Sequence, residues 1–166
     1  MKKTVLWAVG ATFASVLFAA GAASAATSTS NFQVNMTIQG ECRVSSASTL
    51  DFGAHGVLDS ATDTTSAIGV TCTNSTPYTV ALSAGAGSGA TTTARKMTSA
   101  ANDTLSYAVY RDAGRTQVWG ANQNVDTQAA TGTGAVQTFT AYGRVPVQTT
   151  PAQGSFTDTV AITITY

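Results

Sequence analysis

His55 is the one histidine of the chain, and it lies between Gly53 and Gly56. A hydrolytic triad needs an imidazole held between a nucleophile and a carboxylate. A loop histidine flanked by glycines builds no such set, although Ser and Asp are plentiful. The acidic residues are Glu41, Asp51, Asp59, Asp63, Asp103, Asp112, Asp126 and Asp158. Glycoside hydrolysis needs two facing carboxylates, and these are scattered among turns and strand ends. Asp59 and Asp63 are not followed by an EF-hand pattern. The stretch G-A-G-S-G at 85–89 lacks the Lys-Ser/Thr of a phosphate loop, has no helix pattern after it, and reads as a hairpin loop. Tyr107, Tyr110, Trp119 and Tyr142 could form a sugar platform, but strand aromatics more commonly pack cores or interfaces, and that is the expectation here. No enzyme activity, cofactor, metal or small-molecule substrate is expected.

Cys42 and Cys72 remain as residues with covalent chemistry, 30 positions apart. A metal or redox pair is disfavoured by the single histidine and by the lack of C-x-x-C spacing. In an exported protein such a pair reads as a disulfide, worth about 3–4 kcal/mol for a loop of this length in the chain-entropy model. Export is indicated at the N-terminus. Lys2 and Lys3 precede an uncharged apolar run, Val5 to Ala20, and Ala23-Ser24-Ala25 has the A-x-A cleavage form. The weakly hydrophobic Ala and Gly of the run favour a cleaved signal peptide, residues 1–25, over a retained membrane helix. Asn35, Asn74 and Asn102 begin N-x-S/T patterns, which matter only in a glycosylating pathway.

Removing those 25 of the 166 residues leaves 141, enough for one domain with a core. Lys2 and Lys3 account for two of the eight basic residues, so six remain against eight acidic ones. There is no basic face for nucleic acid. Abundant Thr, Ser and Gly disfavour helices.

The elements follow from period-two alternation. In N-F-Q-V-N-M-T-I at 31–38, Phe32, Val34, Met36 and Ile38 share one face and the polar residues the other. This strand is either the first of its own sheet or an arm for another molecule's sheet. Further strands are expected over Arg43–Phe52, Ala67–Thr73, Tyr78–Leu82, Leu105–Val109 and Val136–Pro146, with a short one at Val118–Trp119. The last apolar run, Phe156, Val160, Ile162, Ile164 and Tyr166, falls on even positions facing one way. Asn74–Pro77 is a turn, and Ala121–Gly134 reads as a polar surface loop. Seven or so short strands separated by turns imply a β-sandwich.

These residues, in order, carry a family resemblance. The set comprises Cys42, L-D-F-G at 50–53, V-T-C at 70–72, Y-x-V-x-L at 78–82, L-S-Y-A-V-Y-R-D at 105–112, W-G at 119–120, Y-G-R-V-P at 142–146 and G-S-F-T-D-T-V at 154–160. It resembles the spore coat protein U domain family, which includes the Csu-type subunits of archaic chaperone–usher pili. Phe156 stands where that pattern has Tyr. The resemblance implies an all-β, immunoglobulin-like β-sandwich that lacks its last strand and is completed by donor-strand exchange. It further implies a periplasmic chaperone, an outer-membrane usher, other copies of the chain and a tip subunit as partners. The protein would be exported through the periplasm to a surface pilus serving adhesion and biofilm formation.

On this reading residues 26–38 are the donor-strand arm, with Phe32, Val34, Met36 and Ile38 as its docking face and Gly40 as the hinge candidate before Cys42. Residues 39–166 are the pilin sandwich. Val160, Ile162, Ile164 and Tyr166 form the edge that faces the chaperone and accepts the donor. No separate receptor-binding domain is read in the sequence, which favours a shaft subunit over a tip adhesin. The alternative is a secreted, self-contained sandwich, either a spore or surface coat protein or a sugar-binding module. In it, residues 31–38 would pair within their own chain.

Overall fold

The computed structural model describes residues 24–166, so the signal-peptide reading lies almost wholly outside the described residues. One compact unit spans Thr37–Tyr166, and the residues before it belong to a separate unit. Within that separate unit, residues 24–36 form no helix or strand. Phe32, Val34 and Met36 are 87%, 81% and 85% exposed. Alternation thus marks a segment able to be a strand, but an isolated strand has no ladder to satisfy its N–H and C=O groups.

The compact unit is built of nine strands: β1 (Cys42–Ala47), β2 (Thr62–Cys72), β3 (Pro77–Leu82), β4 (Arg95–Ser99), β5 (Thr104–Tyr110), β6 (Gln128–Thr131), β7 (Val136–Val145), β8 (Phe156–Thr157) and β9 (Ile162–Thr165). They form a six-stranded sheet, β1-β2-β7-β5-β4-β8, and a three-stranded sheet, β6-β3-β9. All pairings are antiparallel. Alternation decides which residues enter the core. On β7, Ala141, Gly143 and Val145 are buried while Thr138 and Thr140 are exposed. Val70, Val80 and Trp119 are fully buried, and the Trp119 indole N–H donates to the Val80 carbonyl at 2.8 Å. Phe139 meets Tyr78 and Trp119 edge-on, with centroids 6.2 and 6.4 Å apart.

Several expected boundaries move. The Arg43–Phe52 strand stops at Ala47. Leu50 and Phe52 leave the ladder but still pack on the core, at Gly143. A Cβ at Gly143 would come within 2.9 Å of both, so the glycine is the seat they need. The expected strand from Ala67 starts at Thr62 and runs the whole length of β7. The short strand at Val118 reduces to a single bridge to Tyr110. β4 and β6 carry no clear alternation and were not expected; β6 lies inside the stretch read as a surface loop. The C-terminal run divides between the sheets, with β8 pairing to β4 and β9 to β3.

Arg95 on β4 is wholly buried. Its guanidinium donates to the carbonyls of Ser83, Thr92, Leu82 and Trp119 at 2.7–3.2 Å. A buried cation is tolerated when its donors are satisfied, and here they tie the end of β3 and two loops to one strand.

Candidate functional site, an open apolar groove

Each sheet has two edge strands, β1 and β8 in the larger and β6 and β9 in the smaller. Among the described residues, β1 pairs with β2 alone and β9 with β3 alone. A groove with a cavity of about 1060 Å³ is bordered by Ala47 at the end of β1, by the 48–58 and 150–158 segments, and by Val160 and Ile162 on the β9 side. Ile68, Leu82, Val109, Ala141 and Val145 line its depth, and Phe52, Tyr107 and Phe156 line one end. Val160 and Ile162 form the lip on the β9 side. They and Ile164 are half-buried against the core, whereas Tyr166 is 60% exposed. Val44 faces Val70 across the β1–β2 register and is 40% exposed. Free edges flanking apolar side chains are a place for another strand to add.

The β1 lip is fixed covalently and by hydroxyls. Cys42 and Cys72 are directly paired in the ladder and joined by a disulfide, S–S 2.03 Å, with Cys72 buried and Cys42 half-buried. At the other end of β1 the Ser48 amide donates to the Ala67 carbonyl at 2.9 Å, and the Ala67 amide donates to Ser48 Oγ at 2.8 Å. Ser66 Oγ–H donates back to the Ser48 carbonyl. Apart from Cys42, β1 is exposed throughout, so these bonds and the disulfide hold it more than burial does.

The β9 side is anchored at Asp158, in the crossover from β8. The Tyr107 hydroxyl donates to Asp158 Oδ2 at 2.7 Å, and the Ala86 amide donates to Oδ1 at 2.7 Å. The carboxylate sits where a side chain on Gly85 would be, 2.0 Å from an added Cβ, and Gly85 has φ 90°. Burial pushes the Tyr107 hydroxyl pKa up, and the hydrogen bond and charge of Asp158 push it further. The sequence gives no hint of this latch beyond the aromatic and acidic residue types.

Of the other candidate residues, Asp51, His55 and Tyr107 also line the groove. His55 is exposed, with Nε2 2.6 Å from the Phe52 carbonyl oxygen. Tyr107 and Trp119 are core residues, whereas Tyr110 and Tyr142 are half-buried cross-strand partners. The four aromatics therefore do not form one platform. The Arg115 guanidinium lies 5.8 Å above the Tyr142 ring. Asp63, bound by Arg144 at 2.7 and 2.8 Å, has its pKa lowered by that pairing. Among the described residues no three metal-capable side chains cluster. In the glycine-rich loop a Cβ at Gly87 would lie 2.3 Å from the Lys96 carbonyl oxygen, a packing reason for glycine there. Gly40 is no free hinge, because its neighbours Gln39 and Glu41 are hydrogen-bonded to Thr73.

Fold and groove together define an immunoglobulin-like, all-β sandwich left open along one seam. The model of the Spore Coat Protein U domain family matches residues 28–163, and the chain belongs to that family. Protein U of Myxococcus xanthus is 35% identical over 178 residues, an alignment covering 99% of this chain and 98% of that protein. A solved structure with the same fold is the CsuC-CsuE chaperone–tip adhesion subunit pre-assembly complex of the archaic chaperone-usher Csu pili of Acinetobacter baumannii. It matches with a TM-score of 0.57 and 24% identity over 78% of this chain. The chain spans 40% of the length of that solved chain.

Proposed function

We propose that the protein is a shaft subunit of a surface pilus, polymerised head to tail by donor-strand exchange along a chaperone–usher pathway. The observation that carries this is an open apolar groove, with Val160 and Ile162 in its lining beside the free β9 edge, in a chain that also carries an exposed apolar arm. The β9 edge offers Val160, Ile162, Ile164 and Tyr166, and the arm offers Phe32, Val34, Met36 and Ile38, seven positions in each case. Burying four large apolar side chains contributes roughly 6–12 kcal/mol gross, with ladder hydrogen bonds in addition and the ordering of the arm as an offset.

Strand polarity supports a head-to-tail fibre. Cys42 pairs with Cys72, and the turn at 73–76 leads into β3, whose Thr79 faces Thr165. The start of β1 and the finish of β9 therefore share one end of the sandwich. A donor antiparallel to β9, the slightly more stable pairing, enters from the opposite end with Ile38 near Val160 and Phe32 near Tyr166. The donor's body then lies beyond the end away from Cys42, and the contact repeats as an open heterologous assembly. A periplasmic chaperone fills the groove first, an outer-membrane usher catalyses the exchange, and a tip subunit caps a fibre serving adhesion and biofilm formation. The signal-peptide pattern and the disulfide fit this export route.

The second reading, a self-contained coat protein, draws on the full-length likeness to Protein U. Deleting residues 26–38 separates the two. A donor arm predicts a subunit that still co-purifies with its chaperone but does not extend a fibre. A home strand predicts a misfolded subunit.

A further inference from the structure

We infer that the Thr73 hydroxyl is a clasp that stiffens the joint between successive subunits; this rests on the donor-strand reading. Thr73 Oγ1 donates to the Gln39 carbonyl at 3.0 Å and accepts the Glu41 amide at 3.1 Å. The Thr73 amide donates to the Glu41 carbonyl at 2.9 Å, extending the β1–β2 ladder by one residue. One side chain therefore grips both sides of Gly40, and a Cβ added at Gly40 would lie 3.5 Å from Thr76 Oγ1. The compact unit accordingly begins at Thr37, ahead of the disulfide. In a fibre, residues up to Ile38 are held in the acceptor's groove, and residues 39–41 are held to the donor's own body at Thr73. No free residue is left between the two anchorages. Each subunit is thus fixed in direction relative to the next, and Gly40 does not serve as a swivel.

Thr73 touches neither groove nor docking face, so the clasp governs how stiff the fibre is and leaves the extent of assembly unchanged. The test uses fibres sheared from producing cells, imaged for persistence length and followed by hydrogen exchange at the Glu41 amide. T73V keeps the shape and removes the hydroxyl. It should give a normal fibre yield, a persistence length at least about twofold shorter, and Glu41 exchange roughly five- to tenfold faster, the loss of about one hydrogen bond. T73S keeps the hydroxyl and should match the parent. If T73V does not fold, E41P removes the amide donor while leaving Thr73 and the disulfide in place, and should loosen the fibre likewise. Parent-like stiffness in the variant that folds, together with parent-like Glu41 exchange where that variant is T73V, would overturn the clasp while leaving donor-strand exchange standing. Absence of any fibre from the parent chain would remove the donor-strand reading and this inference with it.

Discussion

Tyr107 and Arg95 show how single side chains set the frame of the groove. The Tyr107 pKa is raised in the folded state by burial and then by Asp158. A raised folded value means that its contribution is fully present below the ordinary tyrosine pKa of about 10. It is lost as pH climbs from there toward the folded value. The melting midpoint of the parent should therefore fall above pH ~10. Tyr107→Phe should lose about 1–2 kcal/mol at neutral pH and show a shallower alkaline decline. Equal alkaline slopes for the two would contradict the latch. Arg95 satisfies four carbonyls from one planar fork. A lysine ammonium has three donors at a single point and cannot span them. Arg95→Lys should cost about 3–5 kcal/mol, read from urea midpoints, as for other broken buried charge networks. A loss under about 1 kcal/mol would mean that the fork is dispensable.

Among the elements, the two lips of the groove are held by different means, so they should fail differently. β1 is held by the disulfide and serine hydroxyls, with little burial. Cys42→Ser should lose about 2–5 kcal/mol and lower the surface yield, and mass spectrometry of the exported parent without reductant should find no free thiol. β9 is held by apolar packing, and its Ile164 sits opposite Val80. Ile164→Asp puts a charge on the β9 edge and should abolish co-purification with the chaperone. Normal capture of that variant would remove β9 as the accepting edge. The segment after β1 depends on Gly143, where a side chain would meet Leu50 and Phe52. Gly143→Val should cost about 1–3 kcal/mol by overpacking, measured by denaturant unfolding.

For the whole molecule, the proposed donor-strand exchange treats the groove as a stability deficit that a strand can fill. Fusing residues 26–38 after Tyr166 offers the donor in cis. If a net ~3 kcal/mol survives the ordering cost, the melting midpoint should rise by about 10 °C for a domain of this size. An unchanged or lowered midpoint would remove the donor-strand assignment and favour the self-contained reading.

Period-two alternation was enough to locate Tyr78–Leu82 and Leu105–Val109, because Tyr78, Val80 and Leu82, and likewise Leu105, Tyr107 and Val109, share one inward face. It also marked 31–38 as strand-competent, yet competence needs a partner ladder, and none lies among the described residues. β4 and β6 were illegible because, Met97 apart, their residues are polar or small, and their strand state comes from pairing with β5 and β3. The same limit hid Arg95, whose burial depends on carbonyls brought from the end of β3 and two loops. It hid too the seating of Leu50 and Phe52 on a glycine more than 90 positions away. The even-numbered run from Phe156 to Ile164 looks continuous in sequence, but its halves pair in different sheets, with Asp158 pinned at the crossing. Local pattern records which face of a strand is apolar. Which strand lies beside it, and which edges stay free, is set by long-range register, and the groove exists only at that level.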